Sequence, residues 1–175
     1  MICVTGMART GTSMIMQTLV HLGVPTPSKP FIDEHKLILD KNPKGFYEMY
    51  DEVINGINHH KYKGQAVKLF AGCLNQTPKI YVDKVIVMLR DRDDTIKSYT
   101  PIHNILNDEY TPEYIYDATY YILDEYLINV NHIFITFEDM LTNPNNEIQK
   151  IVKFLGIKPT NKQIFNAIKN IDLCQ

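Results

Sequence analysis

Apolar residues along this chain fall into two rhythms. Ile2-Cys3-Val4-Thr5 and Lys84-Val85-Ile86-Val87-Met88-Leu89 are β-branched or apolar without a polar alternation. Such runs suit strands covered on both faces. Ala66–Phe70 and His132–Phe137 are two further short runs that predict strands. Between them the spacing changes. Met14, Ile15, Leu19, Val20 and Leu22 recur at helical intervals, and Ile148, Ile151, Val152 and Leu155 stand at i, i+3, i+4 and i+7. Both are stripes of amphipathic helices.

Punctuation residues divide these segments. Gly23 ends the first helix, and Pro25, Pro27 and Pro30 keep the chain that follows out of a helix. Residues 24–46 therefore read as a long connection with a short helical piece near 33–40, and such connections are often functional. A helix is predicted over 49–62 and another from Asp93 to Leu106, with acidic residues in its first turn where the macrodipole favours them. Thr111 is a good N-cap, with Pro112 at the first helical position of a segment running to about Val130. Asn143-Pro144 breaks the chain, Gly156 ends the next helix, and a last helix covers 161–170. Strands alternate with helices, without an internal repeat or a dividing linker. The expected fold is a three-layer α/β/α arrangement with a central parallel sheet, in one domain spanning 1–175.

Composition narrows the function classes. With 45% hydrophobic and 22% charged residues the chain is expected to fold, and a net charge of −2 argues against a broad nucleic-acid surface. Cys3, Cys73 and Cys174 form no CxxC or Cys/His pattern, so neither a disulfide framework nor a structural zinc is expected. No apolar run approaches a membrane span, and the N-terminus reads directly as a strand rather than a signal peptide. The expected setting is cytoplasmic, with no membrane partner. Oligomeric state is not readable.

Candidate chemistry starts at Gly6-Met7-Ala8-Arg9-Thr10-Gly11-Thr12-Ser13, between a strand and a helix. Successive backbone N–H groups and a helix N-terminus form an anion nest there, and glycine allows close approach. The G-x-x-x-x-G spacing is that of a nucleotide P-loop, so the fold is P-loop NTPase-like. A loop holding the β- and γ-phosphates of ATP would place Lys at the next position, which is Thr12. Here the cation is Arg9, inside the loop, where it can reach a group being transferred. Thr10, Thr12 and Ser13 offer hydroxyls to a phosphate. The second cluster closes the strand Lys84–Leu89: Arg90 stands at its carboxyl end and Ser98 eight residues later on the following helix. A guanidinium and a hydroxyl facing one crevice match a phosphate.

These residues resemble the PAPS-dependent sulfotransferases. The loop is similar to that family's 5′-phosphosulfate-binding loop. Arg90 and Ser98 keep the spacing of its 3′-phosphate-binding segment, although Arg92 stands where many members have Pro. Phe137-Glu138-Asp139-Met140-Leu141, then Pro144 and Phe154-Leu155-Gly156, resemble a further segment in the family's order. A Gly-rich basic segment near the C-terminus of many members has no counterpart before Gln175. The resemblance implies transfer of a sulfuryl group from 3′-phosphoadenosine 5′-phosphosulfate (PAPS) to a hydroxyl or amine of a small-molecule or glycan acceptor. Arg9, Thr10, Gly11, Thr12, Ser13, Arg90 and Ser98 would bind the donor, and no metal is needed because cations neutralise the charge.

Asn42-Pro43-Lys44-Gly45-Phe46-Tyr47-Glu48 resembles a stretch of some microbial and carbohydrate-type members, and makes Glu48 the first candidate general base, with His35 second. Lys68 is a charge on a strand expected to be buried. It either faces the active site and joins Arg9 in stabilising the transferred group, or lies on an edge strand with its head in solvent. Two other functions compete. A divergent P-loop kinase or NTPase lacks its Lys at position 12 and a strand-end Asp for magnesium. A non-catalytic nucleotide-binding module would keep the pocket without transfer.

Overall fold

The computed structural model describes residues 1–26, 59–106 and 109–172. The four apolar runs form strands β1 (Ile2–Thr5), β2 (Ala66–Lys68), β3 (Lys84–Leu89) and β4 (His132–Thr136). They pair in parallel in the order β2-β1-β3-β4. Seven helices lie among the described residues: α1 (Thr12–His21), α2 (Ala71–Asn75), α3 (Arg92–Leu106), α4 (Pro112–Leu127), α5 (Phe137–Thr142), α6 (Pro144–Leu155) and α7 (Asn161–Asp172).

Successive strand side chains point to opposite faces, and two cores result. Val4, Ile86, Met88 and Ile135 meet Ile15 and Leu19 of α1, Ile148 and Ile151 of α6, and Ile171 of α7 on one face. Cys3, Val67, Val85 and Val87 meet Leu74 of α2 and Leu123, Tyr126 and Leu127 of α4 on the other. This is the expected α/β/α layering around a parallel sheet.

The boundaries differ where a cap intervenes. β2 ends at Lys68 rather than Phe70: Leu69 still donates its N–H to the Val4 carbonyl, but Phe70 turns out to N-cap α2, a helix the sequence pattern did not announce. β4 ends at Thr136, whose hydroxyl accepts the Asp139 N–H and starts α5. α4 stops at Leu127, and Asn129 follows with φ 64°. Thr111 caps α4 as expected, and Gly156 ends α6 in the left-handed conformation. The predicted piece near 33–40 and most of the connection over 24–46 lie outside the described residues. So does the helix over 49–62, apart from a 3₁₀ turn at His59–Tyr62. Among the described residues no helix is long and apolar enough to cross a membrane.

Parallel pairing brings all the carboxyl ends of the strands to one edge of the sheet. Thr5, Lys68, Leu89 and Thr136 end there, and each leads into a loop or helix start. Crevices at that edge are where open α/β sheets bind ligands.

Candidate active site

After Thr5 the chain turns at Gly6 with φ +149°, close enough to β3 that a Cβ would meet the Met88 carbonyl oxygen at 2.7 Å and Thr10 Oγ1 at 2.8 Å. Gly11 (φ +94°) caps α1, and a Cβ there would meet the Phe137 ring at 2.8 Å. Both positions need glycine for conformation and for space. α1 starts with no side-chain cap and no acidic residue in its first turn, which leaves its positive end available to an anion.

Arg9 has φ 75°, a left-handed conformation costing a non-glycine residue about 1–2 kcal/mol. Two contacts from the second cluster hold it there. Arg90 Nη1 donates to the Arg9 carbonyl at 3.1 Å, and Arg9 Nε donates to Ser98 Oγ at 3.2 Å. Burial, and secondarily the charge of Arg90, lower the pKa of the Arg9 guanidinium; it stays cationic at any physiological pH. Arg90 lies over the Phe137 ring, 4.5 Å from its centroid, a cation–π contact. Its Nε is buried without a hydrogen-bond partner among the described residues. A buried guanidinium N–H left unpaired between two glycine turns and an uncapped helix start fits an anionic oxygen, which would satisfy it.

Lys68 is buried, with 6% of its surface exposed. β2 is an edge strand, yet the ammonium turns inward and donates to Ser13 Oγ at 3.0 Å. The structure therefore brings Arg9, Ser13, Lys68, Arg90 and Ser98 to one end of the sheet around Gly11 and Thr12. Thr10 differs from its expected use. Its hydroxyl donates to the Met7 carbonyl at 2.7 Å and tightens the loop instead of facing the hollow. Arg92 forks onto Asp117 at 3.1 Å and covers Tyr116, tying α3 to α4 at the surface. Glu48 and His35 lie outside the described residues.

Beside the loop is a cavity of about 290 Å³. Gly6, Met7 and Ala8 form one wall, the start of α2 at Phe70 another, and Tyr99 of α3 and the Ile115 and Ile122 face of α4 stand opposite. Sequence reasoning missed this cavity and the place of Phe137. Two tyrosines of α4 tie that helix to its surroundings: Tyr120 donates to the Met88 carbonyl and Tyr126 to that of Thr77. The run His132–Phe137 predicts Phe137 as the end of a strand. A signal was present in the helical spacing of Ile115, Ala118, Thr119 and Ile122, which form one face of α4. Nothing in that spacing told a cavity wall from a packed one.

The order of loop, strand-end arginine and α6 can be compared with known proteins. The sulfotransferase domain family matches residues 1–174. The chain belongs to that family. The match favours a sulfotransferase domain over the kinase alternative. Comparison with curated protein sequences gave no match. Among solved structures the domain is similar to mouse sulfotransferase SULT7A1 complexed with PAP, with a TM-score of 0.65 and 17% identity over 98% of this chain and 63% of that one. It is also similar to retinol dehydratase complexed with androsterone and the inactive cofactor PAP, with a TM-score of 0.57 and 16% identity over 98% of this chain and 64% of that one. The retinol and PAP complex of retinol dehydratase gives 0.52 and 18% over the same shares. This sulfotransferase domain thus spans a little under two thirds of each of these chains, and the likeness establishes the shared α/β fold.

Proposed function

We propose that this chain, as one domain over 1–175, transfers a sulfuryl group from PAPS to a hydroxyl of a small molecule. The observation that carries this reading is the bonded bridge between the two phosphate half-sites. Arg9 of the loop reaches Ser98, and Arg90 reaches back to the Arg9 carbonyl. One nucleotide carrying phosphates at both its 5′ and 3′ ends would replace these contacts with stronger, charge-assisted ones. Phe137, facing Arg90 and Gly11, offers a flat surface for the base between those ends.

In the transfer, the acceptor oxygen attacks sulfur and the bond from sulfur to the 5′-phosphate oxygen breaks, its electron pair remaining on the phosphate. Arg9 and Lys68 supply positive charge to the transferring group and to the leaving oxygen. The acceptor proton goes to the Glu48 carboxylate, with His35 as the second candidate. The cavity beside Gly6 and Phe70 receives the body of the acceptor. Its apolar lining supports a small apolar alcohol over a glycan, whose hydroxyls would find few partners there. Retinol and androsterone, held by the structural neighbour, are alcohols of that kind. A soluble, cytoplasmic protein agrees with this chemistry.

Calorimetry with 3′-phosphoadenosine 5′-phosphate, against ATP and ADP without metal, tests the donor assignment. Preference for the 3′-phosphorylated nucleotide supports it. Indifference to the 3′-phosphate, or a preference for ATP with magnesium, defeats it.

A further inference from the structure

The outer wall of the cavity is made by two tyrosines that the core does not require. Tyr110 and Tyr114 are stacked, ring centroids 4.9 Å apart and planes 23° apart. Both are more than half exposed, at 54% and 57%. Each also lines the cavity, so one face of the pair is wet and another looks inward. Tyr114 is placed by the first turn of α4, where its N–H bonds the Thr111 cap at 3.3 Å. Tyr110 precedes that helix, so the helical ladder does not fix it. Its carbonyl is tied across the turn to α3 by His103 Nε2 at 2.7 Å. The carbonyl can only accept, so Nε2 carries the proton and donates. The His103 ring stands edge-on to Tyr99, centroids 6.2 Å apart, and Tyr99 lines the cavity from the opposite helix. His103 thus touches both walls without lining the space between them.

We infer that His103 is a positioning residue for the acceptor. It fixes the stacked Tyr110–Tyr114 pair as an aromatic outer wall, and so selects acceptors with an apolar ring system bearing the reactive hydroxyl. This rests on the cavity being the acceptor site of the sulfotransferase reading. The lining supports the choice of ring over sugar. Besides the tyrosine hydroxyls its polar side chain is Thr119, whose Oγ1 already donates to the Ile115 carbonyl at 2.7 Å. A polyhydroxylated acceptor would be stripped of water there with few partners in return, whereas an apolar ring gains contact with the tyrosine rings.

The test uses 2-naphthol as planar probe and a methyl glucoside as polar control, titrated into PAP-saturated protein and assayed with PAPS. In His103→Ala, naphthol affinity is expected to fall about tenfold and its KM to rise in step, the order of one ordered hydrogen bond. kcat and PAP affinity stay unchanged. His103→Gln, whose amide N–H can donate to the same carbonyl, restores naphthol binding. Tyr114→Ala, which removes the stack directly, reproduces the loss. A wild type that binds PAP but not naphthol, or prefers the glucoside, overturns the inference and leaves the donor assignment standing. So does unchanged naphthol binding in His103→Ala, an equal loss of PAP affinity, or failure of Gln to restore. A wild type that ignores the 3′-phosphate defeats the underlying reading, and this inference falls with it.

Discussion

At one end of the crevice Arg9, Ser98, Arg90, Ser13 and Lys68 meet through hydrogen bonds between polar atoms drawn from β2, the turns after β1 and β3, and helices α1 and α3. At the other end Tyr99, Ile115 and Ile122 enclose a space whose surface is mostly carbon. The first end is tight: adding a single Cβ at Gly6 or Gly11 creates a clash below 3 Å. The second leaves about 290 Å³ empty. On the proposed function, the difference follows from what each end would hold. A doubly phosphorylated nucleotide has fixed charge positions and demands directed donors. An apolar acceptor needs only a shaped volume, and its identity changes when the wall residues change.

The sharpest separation of the two ends comes from Arg9→Ala. Removing the cation beside the transferred group is expected to lower kcat about 10²- to 10³-fold, as loss of a transition-state donor does. Acceptor affinity, measured on the PAP complex, stays unchanged because Arg9 does not line the cavity. A parallel loss of acceptor binding would mean the two ends are one site and break the comparison. Arg90→Ala ranks next. PAP affinity should fall about 10- to 100-fold, from the lost charge-assisted fork. ATP, lacking a 3′-phosphate, loses far less. Equal losses for both nucleotides would move Arg90 away from the 3′ end and make its role that of a clamp on the Arg9 carbonyl. Ala118→Phe probes the opposite end. Its ring would fill part of the cavity from α4 and raise the KM of a planar acceptor about tenfold or more by steric exclusion. PAP binding should not move. A drop in PAP affinity would show that α4 transmits strain to the loop through Tyr120, which bonds the Met88 carbonyl.

How much of each end was legible in the sequence follows the same division. The residues that meet at the polar end were legible because fixed charges and tight turns demand particular residue types at particular spacings. Gly6, Arg9 and Gly11 stood together, Arg90 closed an unmistakable strand, and Ser98 followed at helical distance. The parallel sheet was legible for a related reason, since short unbroken β-branched runs such as Val85–Met88 suit a doubly covered strand. What the sequence withheld were matters of packing and direction. Lys68 had two orientations available on an edge strand, and its bond to Ser13 shows the inward one. Thr10 carried the right hydroxyl, but the turn at Gly6 aimed it at the Met7 carbonyl. Phe137 looked like the end of a strand until Thr136 capped a new helix and swung its ring against Gly11. The cavity was hidden because apolar residues at helical spacing look alike whether they meet another side chain or an empty volume.

The smallest effect concerns the layer beneath the acceptor end. Cys3, fully buried among Val67, Val85 and Leu123, has its thiol pKa pushed up to about 12 by burial, with Asp83 adding to the shift. Tyr126, in the same layer, is raised above its usual value, mainly by burial. A raised pKa on an acid that is neutral when protonated means the folded state keeps its proton longer than the unfolded chain. Below pH 9 both states hold the Cys3 proton and stability does not depend on it. Between pH 9 and 12 only the unfolded chain releases it, so stability falls with rising pH, by at most roughly 1.4 kcal/mol per unit for this one group. Urea midpoints measured at pH 8, 9, 10 and 10.5 should therefore decline, and Cys3→Val should flatten the decline while leaving PAP affinity at pH 8 unchanged. An equally steep decline in Cys3→Val would assign the alkaline weakness to the tyrosines of α4. It would then be α4, and not the sheet under it, that yields first.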